Sequence, residues 1–143
     1  MPRSLARQVA LQLIYERLSG GDADEESVEM ILSLTPPEEE KAKLSKSDRE
    51  FIHGLLTGVE ENEAVLREKI ESHLSEGWTM DRVNRVDLCV MLLGSYEVLF
   101  TDVPDNVAVS EAVNLADRFT EPKNKHFINA VLGGISRDAA RDE

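Results

Sequence analysis

The sequence predicts an all-α protein: a single compact bundle of six or seven helices. Apolar residues recur at three- and four-residue spacing along most of the 143 residues. No run alternates apolar with polar residues as a half-buried strand would. Glycines, prolines and cap-forming residues cut the chain into helix-sized pieces. The length fits one domain, 1–143, large enough for a real core. Its helices fall into an N-terminal group (about 3–76) and a C-terminal group (about 79–137).

Arg3 to Leu18 reads as the first helix. Leu5, Val9 and Leu13 lie one turn apart, and Ala6, Ala10 and Ile14 widen the stripe. Gly20-Gly21 ends it. Asp24 suits the N-cap of a shorter helix through Val28, Ile31 and Leu32, with Glu25 and Glu26 favourable in its first turn. Pro36-Pro37 and the acidic run Glu38–Glu40 then form a solvated connection.

Ser47-Asp48-Arg49-Glu50 has the pattern of a capping box. The helix after it carries Phe51, Ile52, Leu55, Leu56 and Val59 on one face. Gly54 and Gly58, one turn apart, either admit a neighbouring helix closely or are simply tolerated. The same period resumes through Leu66, Ile70 and Leu74, with room for a bend near Asn62, and Gly77 stops it.

Thr79 suits the cap of the next helix, with Trp78 stapled onto Val83. From Val83 to Leu99 this helix is apolar nearly all round, which marks it as the most enclosed one. Pro104 opens the following helix, with Val109, Val113, Ala116 and Phe119 expected to face inward. The last helix carries Phe127, Ile128, Val131, Leu132 and Ile135. Gly133-Gly134 should weaken its final turns and the tail from Arg137 should fray.

Composition narrows the functions open to such a bundle. The formal net charge is -12, which opposes broad, non-specific binding to nucleic acid but not a small basic patch. One cysteine, Cys89, stands in the apolar run Leu88–Leu93, so an internal disulfide is impossible and the residue reads as core. No signal-peptide pattern opens the chain, and no apolar run approaches the roughly 20 residues that span a bilayer, so a cytoplasmic location is expected. His53, His73 and His126 have no partners at metal-ligand spacing. There is no phosphate-cradling glycine loop, dinucleotide fingerprint or nucleophile elbow. No cofactor and no catalysis are expected.

Two basic places stand out against the acidic background. Arg3 and Arg7 lie one turn apart at the start of the first helix, where cations oppose the helix dipole and a phosphate would relieve the conflict. They read equally as two surface arginines. Arg118, Lys123, Lys125 and His126 cluster around the loop before the last helix, with Asn124, Phe119 and Phe127 beside them. The cations read either as an anion site or as ordinary loop charges. The rings read as stacking surface or, more often at such spacing, as core.

Taken in order, several blocks resemble the NusB family of bacterial transcription antitermination factors. They are Ala6-Arg7-Gln8-Val9-Ala10-Leu11-Gln12-Leu13-Ile14-Tyr15; Asp48, Phe51 and Leu55-Leu56-Thr57-Gly58-Val59; Tyr96-Glu97; Val103-Pro104; Val107-Ala108-Val109; Glu111-Ala112-Val113 with Leu115-Ala116; and Phe127-Ile128-Asn129-Ala130-Val131-Leu132. The resemblance spans nearly the whole chain, and the order and spacing of the blocks carry it. It implies a fold of about seven helices without catalytic activity. It implies binding of boxA-type single-stranded RNA together with the small-subunit ribosomal protein NusE. That pair would act indirectly on an RNA polymerase complex, notably during ribosomal RNA transcription. By position it assigns Arg3, Arg7, Lys125, His126 and Phe127 to RNA, and Asp81 and Asp87 to NusE. Arg118 and Lys123 join the RNA set through the loop cluster. In the first turn of a helix, Asp81 is equally an ordinary dipole partner.

The chain departs from the family pattern at Ser4, Leu5, Leu92, Ser110 and Asp117, where basic residues or asparagine are common. Each cation lost from a phosphate contact removes about one counterion's worth of salt-dependent affinity. Weak RNA binding alone, tightened by the ribosomal partner, is the expectation. A second function remains open: a non-catalytic protein-interaction module that has lost useful RNA affinity. A third, the RNA-targeting domain of a ribosomal RNA methyltransferase, is disfavoured because the chain holds no cofactor-binding α/β segment. A bundle face serves a partner or a second copy equally well, which leaves a homodimer open.

Overall fold

The computed structural model describes residues 3–34 and 44–141. The expected connection at Pro36-Pro37 and Glu38–Glu40 lies outside them, as do Asp142 and Glu143. Six α-helices and two 3-10 turns make up the regular structure of the described residues. The helices are α1 (Ser4–Leu18), α2 (Glu25–Ser33), α3 (Lys46–Glu71), α4 (Arg85–Phe100), α5 (Asp105–Phe119) and α6 (Lys125–Arg141). The turns are Met80–Arg82 and Pro122–Asn124. No strand occurs among the described residues. The chain divides into two compact units, Met1–Gly58 and Val59–Glu143.

In the N-terminal unit, α1 and α2 pack together. The apolar stripe of α1 is inside: Ala6, Val9, Ala10, Leu11, Leu13 and Ile14 are buried. Gly20, with φ +96°, takes the left-handed conformation that ends the helix. The Glu16 carboxylate then holds the turn, accepting from Ala23 N–H (2.8 Å) and from the Ser27 hydroxyl (2.8 Å). Asp24 caps α2 as expected, accepting from Ser27 N–H at 3.1 Å.

The capping box of α3 is two residues earlier than the sequence pattern suggested. Asp48 N–H donates to the Ser45 hydroxyl (3.0 Å) and Ser45 N–H donates to the Asp48 carboxylate (3.0 Å). An aspartate three residues past a serine reciprocates as glutamate does, so Ser45 competes with Ser47 and wins. From there α3 runs as one continuous helix past Asn62 to Glu71. A Cβ at Gly54 would meet no described atom within 4 Å, so this glycine serves no close helix approach.

In the C-terminal unit, α4 packs against both α5 and α6, which also pack against each other. Its enclosure is nearly complete. Leu88 to Val98 contains only one residue, Tyr96, that is not buried. Gly94 lets the three helices close together, since a Cβ there would lie 2.8 Å from Leu132 Cδ1 and 3.0 Å from Ala112 Cβ. Ser95 removes its polarity by donating to the Met91 carbonyl within its own helix (2.6 Å).

Three local expectations need correction here. Thr79 does not cap α4: its hydroxyl donates to Asp81, and α4 starts six residues later under Asn84, whose side chain accepts from Asp87 N–H (2.8 Å). Asn84 is the better cap because the intervening 3-10 turn reorients the chain. The buried face of α5 is Ala108, Ala112, Leu115 and Ala116, so of the residues expected inside only Ala116 is buried. Ala112 packs against Gly94 of α4, where a Cβ would lie only 3.0 Å from its own. Finally, α6 continues to Arg141 instead of fraying at Arg137. Gly134 is not a weak point: a Cβ there would strike the His73 ring, which pairs through Nε2 with Asp138 Oδ2 (2.7 Å).

Two stability predictions follow from this packing. Leu93→Ala should cost about 2–5 kcal/mol in chemical denaturation, because a buried leucine leaves a cavity in a three-helix contact. Ser45→Ala should cost about 1 kcal/mol at neutral pH through the lost cap. The Ser45 backbone bond holds the Asp48 carboxyl below its ordinary value of 3.8. A depressed carboxyl stabilises the native state above its unfolded pKa and loses that effect as pH falls through the folded value. The difference between wild type and Asp48→Ala should therefore shrink below about pH 4 in denaturation curves, whereas Ser45→Ala keeps the backbone bond to the carboxylate.

Candidate nucleic-acid interface

In the N-terminal unit, Arg3 and Arg7 converge on one ring. The guanidinium carbons lie 4.5 Å and 5.2 Å from the Phe51 centroid. Arg3 also donates to the Ser47 carbonyl (3.3 Å) and hydroxyl (3.1 Å), and lies 3.9 Å from Asp48. The two arginines differ in access. Arg7 is only 6% exposed, whereas the Arg3 side chain is 39% exposed. A signal for this was present in the sequence, since Arg7 shares a helix face with Leu11 and Ile14, which are buried. Arg3 is thus the solvent-facing member of the pair.

In the C-terminal unit a groove of about 720 Å³ opens beside the start of α4. Trp78 and Phe127 form an aromatic wall, with centroids 5.8 Å apart and planes tilted by 35°. Arg82, Lys123, His126 and His73 bring cationic or protonatable groups to its lining, and Asp87 and Glu121 bring carboxylates. Trp78 was expected to staple onto Val83; both residues line the groove, and the ring contact of Trp78 is with Phe127. Neither Trp78 nor Arg82 was singled out for binding from the sequence. Both lie in the segment before α4, dozens of residues from the basic loop, and their approach to it is tertiary.

Beneath the loop lies Asp87, only 4% exposed. Its Oδ2 accepts from Asn84 Nδ2 (3.1 Å) and from Asn124 Nδ2 (2.9 Å). Asn124 Nδ2 also donates to the Thr120 hydroxyl at 3.3 Å. Burial pushes the Asp87 carboxyl above its ordinary value, against the hydrogen bonding from Thr120, Asn84 and Asn124. Asp81, by contrast, is exposed on the Met80–Arg82 turn.

The remaining basic residues are less free than their spacing suggests. Lys123 Nζ lies 3.1 Å from Glu121, and Lys125 Nζ lies 3.1 Å from Asp117. The Arg118 guanidinium lies 5.9 Å from the Phe119 ring. The structure thus gathers Asp87, Lys123, His126 and Phe127 around one groove, with Lys125 turned to α5 and Arg118 on the last turn of α5.

No group of three or more potential metal ligands occurs among the described residues. Burial raises the Cys89 thiol to about 12, so it stays protonated in the core. No helix among the described residues is long and apolar enough to cross a membrane.

An all-helical fold with an aromatic-walled groove of mixed charge is suited to binding, and comparison with known proteins makes the class specific. The NusB family model matches residues 4–137. The transcription antitermination protein NusB of Clostridium tetani is 38% identical, covering 96% of this chain and 99% of its own. That of Limosilactobacillus fermentum is 36% identical, covering 93% and 91%. Among solved structures, T. maritima NusB superposes with a TM-score of 0.79 at 27% identity, covering 98% of this chain and 94% of its own. Antitermination factors NusB and NusE in complex with double-stranded RNA give a TM-score of 0.75 at 25% identity, covering 96% and 99%. The chain belongs to the NusB family of non-catalytic transcription antitermination proteins.

The burial of Asp87 yields a prediction. A carboxyl whose folded pKa is raised favours the native state below its unfolded pKa and loses that contribution as pH rises through the folded value. Denaturation of wild type and Asp87→Asn across pH should show the variant gaining relative stability as pH rises from the acid range to neutrality.

Proposed function

We propose that this protein binds boxA-type single-stranded RNA together with the ribosomal protein NusE, and so acts on an RNA polymerase complex during ribosomal RNA transcription. The observation that carries this reading is the groove. It combines the Trp78–Phe127 wall with Arg82, Lys123 and His126 on a chain whose net charge is -12. Stacking needs a base splayed from its neighbours, which single strands offer and duplexes do not. Cations beside the rings suit the connecting phosphates. Arg3 on the N-terminal unit, with Arg7 packed behind it on Phe51, supplies a second anion-directed place. Lys125 and Arg118 add positive charge near the loop. Asp81 is the exposed member of the acidic pair proposed for the partner. Binding to nascent RNA also implies work in the cytoplasm. The similarity to a structure of NusB and NusE with double-stranded RNA supports NusE and RNA as partners, while the single-stranded boxA form rests on the groove and the family resemblance.

The ion pairs of Lys123 with Glu121 and Lys125 with Asp117 favour one second reading. Phosphate must displace these carboxylates, which weakens affinity, and in the limit leaves a protein-interaction module without useful RNA binding. The sole tryptophan separates the two readings, because it lies in the groove. Its fluorescence should change on titration with a boxA-like oligomer, more than with scrambled RNA or duplex. Log affinity should fall linearly with log salt, and Lys123→Ala should make that slope shallower by up to about one. NusE should tighten the complex. Equal affinity for boxA and scrambled RNA with NusE present would leave only the interaction module.

A further inference from the structure

The groove has two banks that come from distant parts of the chain. One is the turn and cap before α4, with Trp78, Arg82 and Asn84. The other is the α5–α6 loop, with Lys123, Asn124, His126 and Phe127. A carboxylate is an unexpected group to bury beneath a loop meant for anions, since it adds negative charge and loses hydration. Asp87 is nonetheless enclosed, and its Oδ2 accepts an amide from each bank: Asn84 at 3.1 Å and Asn124 at 2.9 Å. Asn84 in turn accepts from Asp87 N–H at 2.8 Å, and Asn124 reaches Thr120 at 3.3 Å. The start of α4, the end of α5 and the turn into α6 therefore meet at one oxygen-centred tie.

We propose that Asp87 is a positioning residue, whose buried carboxylate sets the distance between the two banks and holds Lys123, His126 and Phe127 opposite Arg82 and Trp78. This rests on the RNA reading above for its functional consequence, though the tie itself is a property of the free protein. The carboxylate does not touch RNA in this role and acts through Asn124. The short Pro122–Asn124 turn has little burial of its own to hold it, as none of its three residues is buried. The charge-assisted bond from Asn124 to Asp87, on a helix start that Asn84 fixes, compensates for that.

Positioning and simple electrostatics predict opposite signs. Removing a negative charge beside a phosphate site strengthens RNA binding. Removing the tie weakens it. Asp87→Leu does both and Asp87→Asn does only the first, because an amide oxygen in the place of Oδ2 still accepts from both asparagines. Positioning therefore predicts that Asp87→Leu binds a boxA-like RNA about tenfold more weakly than Asp87→Asn, at matched folded fraction. Asn124→Ala, which cuts the tie from the loop side, should lose a similar factor, and the double variant should lose no more than either alone. In the absence of RNA, amide hydrogen exchange at Lys123–His126 should be about tenfold faster in Asp87→Leu and Asn124→Ala than in Asp87→Asn. Equal RNA affinity and equal loop exchange in Asp87→Leu and Asp87→Asn would overturn the proposal. Should wild type bind no RNA, the RNA reading fails by itself, and the exchange rates still decide whether Asp87 holds the loop. If Asp87→Leu does not fold, Asn124→Ala carries both measurements.

Discussion

Helix α4 has almost no face that water can wet, and the C-terminal unit is organised by that fact. A helix carrying Leu88, Val90, Met91, Leu92, Leu93 and Val98 must be covered on several sides, and α5 and α6 both pack against it. Close cover then dictates small residues. Gly94 on α4 meets Leu132 and Ala112, and the inner face of α5 is three alanines and one leucine. Once α5 and α6 are seated on α4, the loop joining them has only one end of the bundle to cross. That end is beside the start of α4, where Asn84, Asp87 and the preceding turn wait.

The groove is therefore a consequence of core packing, and its chemistry comes from the residues left at the end of the bundle. Trp78 and Phe127 meet at 5.8 Å because the turn before α4 and the start of α6 are held against each other. The pairing of Lys123 and Lys125 with Glu121 and Asp117 shows how an acidic protein carries a basic site. Local carboxylates occupy the cations when no stronger anion is present.

The N-terminal unit solves a related problem differently. Arg3 and Arg7 sit where the dipole of α1 is unfavourable to cations, and the Phe51 ring with Asp48 offsets part of that cost. Burying Arg7 against the ring makes it as much a packing residue as a charge. A change at Arg7 acts on both, while a change at the more exposed Arg3 acts mainly on charge.

Helical period, cap chemistry and glycine stops follow from neighbours within a turn or two, and these were legible in the chain. The buried stripe of α1, the Asp24 cap, the enclosure of α4 and the inward residues Ile128, Val131, Leu132 and Ile135 of α6 all belong to this class. Family membership was legible too, because it rests on the order of such local blocks. Where two local signals competed, tertiary structure chose between them. Ser45 took the cap of α3 from Ser47, Asn84 took that of α4 from Thr79, and the alanine face of α5 turned inward in place of the valines. What no local reading reaches is a contact between residues far apart in sequence. Trp78 with Phe127, His73 over Gly134, and Asp87 beneath Asn124 each join segments separated by dozens of residues. Periodicity states which face of a helix is apolar; only the packing of one helix on another states which polar groups then meet at its end.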